Sequence, residues 1–298
     1  MSIHKSVLLH EAIDGLDIQS GDIFVDGTLG NGGHMEEVCK RFSNTVVMIG
    51  IDLDSDAIER SRQRLSKYDC NVKYSHGSFR NLDKILNELS IGKVDKILFD
   101  IGLSSNQFEE SERGFSFQKD ESLIMSFKKD LTADDLTARE IVNNWDEENI
   151  KAILEGYGEE KFGWKIAKDI VERRKIKSIE TTFDLVEIIK SATPSFYHHR
   201  KIHPATKTFQ ALRITVNDEI ESLKEGIRKG FERLNLNGRL AVISFHSLED
   251  RVVKQFFKNK VEELEGLAIT KKPVRPSEQE IELNPRSRSA KLRILKKI

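Results

Sequence analysis

Ile23-Phe24-Val25-Asp26-Gly27-Thr28-Leu29-Gly30-Asn31-Gly32-Gly33-His34 is the stretch whose reading decides the fold. Three apolar, β-favouring residues end at a carboxylate, a glycine-rich turn follows, and residues 35–42, MEEVCKRF, read as a helix. Glycines let a backbone turn sharply and approach a ligand with no Cβ in the way, so strand, glycine turn and helix form a nucleotide-cofactor module. Outward from it, Val46 to Ile51 is an apolar run stopped at Asp52, and Ala57 to Leu65 is helical with basic residues on its outer face. Val72 to His76 alternates like a strand, Leu82 to Leu89 reads as a helix, and Ile97-Leu98-Phe99 is a buried-type strand stopped by Asp100-Ile101-Gly102. This alternation predicts an α/β fold, Rossmann-like, with a mostly parallel, doubly wound sheet covered on both faces.

The alternation then breaks. Residues 103–125 are polar and carry Gly, Ser and Phe, and from about 132 to 192 only helical patterns appear. Thr132, Thr137, Asp146 and Thr182 each stand where a helix N-cap is expected. Strand character returns at Arg239 to Phe245, after the turn Asn237-Gly238, and again at Ala290 to Leu295. The order predicts a helical domain, 109–211, inserted into an α/β domain made of 1–108 and 212–298.

Asp52 lies 26 residues after Asp26 and ends the second strand, where a carboxylate accepts hydrogen bonds from ribose hydroxyls. Two adenosine cofactors compete. A dinucleotide needs G-x-G-x-x-G for its pyrophosphate, and glycines at 27, 30, 32 and 33 do not match that spacing. Asp26 beside a pyrophosphate is also unfavourable, whereas the amino group and sulfonium of S-adenosylmethionine are positive; the residues favour S-adenosylmethionine over NAD. A lone Asp is more often a turn or cap residue, but two at strand ends around a glycine loop are less easily read so. Ligands in open α/β sheets bind beyond the carboxyl ends of the strands, so Asp26, Asp52 and Asp100 are expected on one rim. His76 to Phe79 and Ser244 to Ser247 end strands at that same rim, and Phe79 is either an adenine-packing ring or a core phenylalanine.

The chain of 298 residues carries 48 Lys+Arg against 49 Asp+Glu, which at first argues against a nucleic-acid partner. Resolved along the chain, the first 185 residues carry −10 and the last 113 carry +9, so near-neutrality is a cancellation. A basic surface attracts phosphate even when the total charge is near zero. Two cysteines, Cys39 and Cys70, make neither a disulfide framework nor a four-ligand zinc site, which points to a reducing, cytoplasmic setting. No apolar run approaches the roughly 20 residues that cross a bilayer, and the N-terminus lacks a signal-peptide pattern, so no membrane partner is expected.

Further strings narrow the reading: DGTLGNGGH at 26–34, GIDLDSDAI at 50–58, DIGLSSNQF at 100–108, ERGFSFQKD at 112–120 and YGEE at 157–160. HPATKTFQALRITVNDE at 203–219, NGRLAVISFHSLEDRVVKQFF at 237–257 and NPRSRSAKLRI at 284–294 continue the series. With these, the chain closely resembles the bacterial 16S ribosomal RNA cytosine N4-methyltransferase family, the RsmH or MraW type, over nearly its whole length and in the right order. The resemblance implies a class I S-adenosylmethionine-dependent methyltransferase fold with an inserted helical substrate-recognition domain. It implies S-adenosylmethionine as methyl donor, and as acceptor a decoding-centre cytosine of 16S rRNA in the small ribosomal subunit. By motif it places cofactor contacts at Gly32, Gly33, His34, Asp52, Phe79, Asp100 and Gln107. The chain departs from the family at Leu123-Ile124-Met125-Ser126-Phe127, where Leu-Asp-Met-Arg-Met is usual, and at Lys207, where Arg is usual. Losing a carboxylate and a guanidinium together is milder than orphaning one charge. Lys keeps the charge but not a bidentate fork.

The exocyclic amine of cytosine is a poor nucleophile, so an enzyme must place it in line with the sulfonium methyl and accept its N–H groups. Many amine methyltransferases use an Asn-Pro-Pro-aromatic motif after strand four; here Asp100-Ile101-Gly102-Leu103-Ser104-Ser105 stands there. Asp100 or the adjacent backbone carbonyls accept from the amine, Asp100 being the catalytic candidate, with Phe245 or His246 near the base. RNA-binding candidates are Arg200, Lys201, Lys207 and Arg213, with His198, His199 and His203 nearby, and Arg286, Arg288, Lys291 and Arg293. The same C-terminal cations also suit protection of an edge strand. A loop His-His pair without cysteine partners does not call for a metal. Three function classes remain open on sequence: the rRNA methyltransferase, a related S-adenosylmethionine enzyme with another acceptor, and a ribosome-assembly factor that keeps the fold without catalysis.

Overall fold

β1 (Ile23–Asp26), β2 (Val47–Asp52) and β4 (Val94–Asp100) are the short apolar strands of the N-terminal third, and β3 (Asn71–His76) is a polar, alternating one. They belong to a computed structural model that describes residues 6–102, 112–128, 130–200 and 202–298. Among the described residues a seven-stranded sheet runs β3-β2-β1-β4-β5-β7-β6, where β5 is Leu234–Ser244, β6 Gly266–Ala268 and β7 Lys291–Lys297. β1 to β5 pair in parallel, and β7 is antiparallel to both β5 and β6. This is the expected Rossmann-like, mostly parallel order.

Successive side chains of a strand point to opposite faces. Phe24, Met48, Leu98 and Ala241 accordingly join one core with helices α1 (Leu9–Leu16) and α2 (Gly33–Phe42). Val25, Ile49, Ile97, Phe99 and Val242 join the other, with α4 (Leu82–Glu88) and the long C-terminal helices. Burial on both faces explains why these strands read as continuous apolar runs rather than alternating ones. Each fully buried Leu, Ile or Phe contributes about 1.5–3 kcal/mol relative to exposure. α3 (Ser55–Leu65) lies between β2 and β3 and is capped by Asp54, whose side chain accepts from the Asp56 N–H.

By its internal contacts the chain divides into one unit of Met1–Gly102 with Ile220–Ile298 and a second of Leu103–Glu219. The second unit is helical. Its described helices are α5 (Ala138–Asn144), α6 (Glu147–Gly156), α7 (Gly163–Arg174), α8 (Thr182–Ala192), the single turn α9 (Ser195–His198) and α10 (Thr206–Val216). They close on a separate apolar core containing Ile141, Leu154, Ile166, Ile170, Leu185 and Leu212. α11 (Glu219–Arg233) and α12 (Ser247–Glu262) then return to the sheet unit.

Four local expectations change. Thr137 and Asp146 cap helices as expected, but Thr132 holds a turn through Asp135, with no helix over 133–136. α8 is capped by Thr181, not Thr182: Thr181 and Asp184 form the reciprocal capping box, while the Thr182 hydroxyl donates to the Lys119 carbonyl. Asn237-Gly238 is not a turn ahead of a strand but an irregularity inside β5, where Asn237 has φ 67° and the register shifts between Val94 and Lys96. Finally, Cys39 of α2 and Cys70 form a disulfide with Cα atoms 5.7 Å apart. Packing of α2 against the residue before β3 creates this pairing, which a sequence separation of 31 does not indicate. No helix among the described residues is long and apolar enough to cross a membrane.

Candidate cofactor site at the sheet rim

The carboxyl ends of β2, β1 and β4 are neighbours, and they carry Asp52, Asp26 and Asp100. The glycine loop is stitched across them. Gly27 N–H donates to the Leu98 carbonyl and Leu29 N–H to the Ile51 carbonyl, each at 2.9 Å. Gly30 N–H donates to Asp52 Oδ2 at 2.7 Å, and Asp54 N–H to Asp52 Oδ1 at 2.9 Å. The Thr28 hydroxyl accepts from the Asp100 N–H at 2.6 Å, tying the loop to the end of β4. Gly30 (φ 51°) and Gly32 (φ 73°) adopt the left-handed conformation, and a Cβ on Gly32 would lie 2.3 Å from the Ser61 hydroxyl. A Cβ on Gly27 would lie 2.3 Å from the Phe99 ring. The loop therefore needs glycine for closeness as well as for its turn.

Asp26 is 1% exposed. Its Oδ1 accepts from the Thr28 N–H at 3.2 Å, and its Oδ2 has no partner among the described residues. Burial, with the Asp100 and Asp52 charges adding, pushes its carboxyl up to about 7. Asp100 keeps some solvent contact, yet burial first and the Glu249 charge second push it to about 7 as well. Burial also raises Asp52, opposed by its two backbone donors. Three carboxylates crowded at one rim, one with an unanswered oxygen, form a site that attracts positive charge.

These shifts set a pH dependence. An unfolded aspartate ionises near 3.8 and these two at about 7, so their contribution to stability is present at low pH and lost as pH rises through 7. The free protein is expected to lose thermal stability over that window. Asp26→Asn and Asp100→Asn flatten the dependence when melting is followed by calorimetry across it; an unchanged profile contradicts the assignment.

His34 is buried, and its Nε2 is 3.2 Å from the Val7 carbonyl, so the ring is already engaged with the N-terminal segment. Gly33 is the first residue of α2, after the N-cap Gly32; a Cβ on Gly33 would meet the Ser6 hydroxyl at 2.0 Å. Phe79 packs against Phe99 with the rings tilted and centroids 4.9 Å apart, and its ring fits against Gly226, where a Cβ would approach to 2.3 Å. It is thus partly a core ring and partly a wall beside Gly27. Gln107 and Lys201 lie outside the described residues.

Glu249 is the functional residue that the sequence reading missed. It is 1% exposed, and its Oε2 accepts from the Phe245 and His246 N–H groups at 2.7 and 3.2 Å. His246 returns the bond: its Nδ1 accepts from the Glu249 N–H, and its Nε2 lies 2.9 Å from Glu249 Oε1. This capping box at the start of α12 fixes the turn after β5, where the Phe245 ring lies so close to Gly102 that a Cβ there would be 2.6 Å away. His-x-x-Glu before an apolar helix was the available signal. Glu249→Ala leaves two part-buried N–H groups without their acceptor and is expected to cost about 2 kcal/mol, read from urea unfolding.

The cationic candidates separate into two kinds. In the sheet unit, Lys291 Nζ and Arg293 Nε both bind Asp250, at 3.0 and 2.7 Å. Burial acts to raise Asp250, but hydrogen bonds from Arg293 and then Lys291 hold it below the usual range. Arg286 and Arg288 are exposed. In the helical unit, Arg213 makes a bidentate pair with Glu219 at 2.8 and 2.9 Å, and Lys207 donates to the Glu159 carbonyl at 2.6 Å. Arg200 is exposed, over the rings of Phe196 and Tyr197. In the altered 123–127 segment, Leu123 and Met125 are fully buried and Ser126 is 5% exposed. Arg113 donates there to the Ser126 and Phe127 carbonyls at 3.0 Å.

The profile of the MraW methylase family matches residues 1–298. A protein named Ribosomal RNA small subunit methyltransferase H from Clostridium botulinum (strain Kyoto / Type A2) is 47% identical, covering 99% of both chains. A protein of the same name from Sulfurihydrogenibium sp. (strain YO3AOP1) is also 47% identical, again over 99% of both chains. Among solved structures, a rRNA methylase from Streptococcus thermophilus aligns at a TM-score of 0.46 and 13% identity over 99% of both chains.

Proposed function

The chain belongs to the MraW methylase family, and on that premise we propose that it methylates the exocyclic N4 of one cytosine in the decoding centre of 16S rRNA. It is a class I, S-adenosylmethionine-dependent methyltransferase acting on small-subunit rRNA. The observation that carries the cofactor half is the rim of Asp26, Asp52 and Asp100 around a glycine loop, with Asp26 Oδ2 unanswered. Such a rim fits a ligand with an ammonium and a sulfonium and repels a pyrophosphate.

Bound S-adenosylmethionine supplies an electrophilic methyl group on a sulfonium centre. Asp52 accepts from the ribose hydroxyls, held for this by Gly30 and Asp54. Gly32 and Gly33 give close backbone approach, Phe79 forms a wall for the adenine, and Gln107 belongs to the same contact set. Asp100 accepts an N–H of the cytosine amine and keeps the nitrogen lone pair toward the donor; its own backbone is fixed by Thr28. With a carboxyl near 7, Asp100 is also suited to take the proton that the methylated amine must lose. Phe245, set by Glu249, stands beside Gly102 at the start of the post-β4 segment and closes that edge of the base site.

Among the cations, Arg200 and Arg288 are the phosphate contacts, while Lys207, Arg213, Lys291 and Arg293 hold the fold. Neutralising Arg200 or Arg288 is expected to lower the salt slope of single-stranded RNA binding by about 0.7 each. Lys291→Gln and Arg293→Gln should move stability instead. Equal slopes in all four variants contradict the division.

The function is tested with S-adenosylmethionine labelled in its methyl group and small subunits from cells lacking this protein. Label entering 16S rRNA supports the reading. Label entering ribosomal proteins points to another acceptor, and no transfer points to an assembly factor.

A further inference from the structure

The helical unit carries a net negative charge, yet two of its segments have no carboxylate. Residues 161–168, KFGWKIAK, hold three lysines, and residues 195–203, SFYHHRKIH, hold Arg200, Lys201 and three histidines. The fold joins them. Phe162, at the N-terminal boundary of α7, meets Tyr197 and Phe196 edge-on, with centroids 5.0 and 6.4 Å apart. Buried Glu160 accepts from the Tyr197 hydroxyl at 2.7 Å, locking α9 to the start of α7.

Each segment leaves one large apolar ring exposed: Phe196 at 61% and Trp164, the second residue of α7, at 53%. Arg200 lies over Tyr197 at 4.8 Å and Phe196 at 5.8 Å. Among the described residues no carboxylate forms an ion pair with Lys161, Lys165 or Arg200, while the charge of Lys168 acts on Glu172. Nearby lysines of the same unit behave differently: Lys151, Lys175 and Lys177 pair with Glu148, Glu172 and Asp184. An apolar partner protein gains little from lysines left free around its contact. Exposed aromatic faces with an Arg plane and unpaired lysines match unstacked bases flanked by phosphates.

We propose that Trp164 and Phe196, ringed by Lys161, Lys165, Lys168 and Arg200, form a stacking platform for unpaired nucleotides of the RNA substrate, separate from the base that is methylated. The proposal rests on the rRNA reading above and names where the helical unit grips the strand. Each stacked base removed is expected to weaken binding roughly tenfold, and phosphate contacts add a salt dependence of their own.

The chain carries two tryptophans, so a Trp145→Phe background leaves Trp164 as the single reporter. Titration with an unstructured single-stranded RNA should quench its emission, whereas a perfect RNA duplex should not. Trp164→Ala with Phe196→Ala should bind the single strand at least tenfold more weakly, with an unchanged salt slope. Trp164→Tyr with Phe196→Tyr should restore most of the loss. Lys161→Gln with Lys165→Gln and Lys168→Gln should instead reduce the slope. Unchanged far-UV circular dichroism and urea unfolding show that each variant is folded. Unaltered single-strand affinity in the double Ala variant, or quenching by a ribosomal protein but not by RNA, overturns the platform. If the parent methylates small subunits while the platform variants bind and react like it, the platform alone fails. If the platform behaves as expected but the parent transfers no methyl group, the function fails and the platform stands.

Discussion

Asp100→Asn is expected to lower the rate of methyl transfer to small-subunit rRNA at least 10²-fold, with S-adenosylmethionine binding changed only a few-fold. The reason is chemical. The acceptor amine must present its lone pair and then lose a proton, and positioned general bases contribute about 10²–10⁴-fold. Asn keeps the shape and an acceptor oxygen but has no affinity for the proton. The backbone at Asp100 is fixed independently by its N–H to the Thr28 hydroxyl, so the change leaves the loop in place. Single-turnover transfer with saturating cofactor measures the effect directly. In the parent, the rate should rise with pH toward a plateau above 7, following the raised carboxyl, and the Asn variant should lose that limb. A variant that binds cofactor and methylates at the parental rate removes Asp100 from catalysis.

Asp52→Ala carries the second large effect, on cofactor affinity. Asp52 holds two loop N–H groups, from Gly30 and Asp54, and is proposed to accept the ribose hydroxyls. Losing charge-assisted hydrogen bonds of about 1.5–3 kcal/mol each, together with the set of the glycine loop, should weaken S-adenosylmethionine binding about 10²-fold or more. Asp52→Asn keeps acceptor geometry without charge and should fall between. Calorimetric titration checks both. Parental affinity in Asp52→Ala would place the ribose elsewhere.

The sheet and its rim were legible because buried parallel strands leave simple traces. Phe24-Val25, Met48-Ile49 and Ile97-Leu98-Phe99 are apolar on both faces, and each strand ends at its Asp. The glycine turn was legible as well, since closeness to Phe99 and Ser61 excludes side chains. What sequence hid was pairing at long range. Arg213 and Glu219 are six residues apart, but Arg293 and Asp250 are 43 apart, and nothing local marks either cation as engaged. The four cations of NPRSRSAKLR therefore read alike, as RNA contacts or as protection of an edge strand, whereas Lys291 and Arg293 brace β7 against α12. The disulfide of Cys39 and Cys70 was hidden for the same reason. At Thr181-Thr182 two equally good caps stood side by side, and only the position of Asp184 three residues after Thr181 distinguishes them.

The near-equality of 48 basic and 49 acidic residues illustrates the same point. Total charge was silent about RNA because three carboxylates gather at the sheet rim while cationic strings lie elsewhere in the chain. Charge is informative here only when each group is assigned a partner or shown to have none.

The most direct test of the central claim is mass-spectrometric mapping of 16S rRNA from small subunits lacking this protein, before and after incubation with the purified chain and S-adenosylmethionine. The account predicts one new methyl group, on N4 of a single decoding-centre cytosine, and none with the Asp100→Asn variant on the same timescale. A methyl group on another atom or base, or an unchanged map with active cofactor binding, would contradict it.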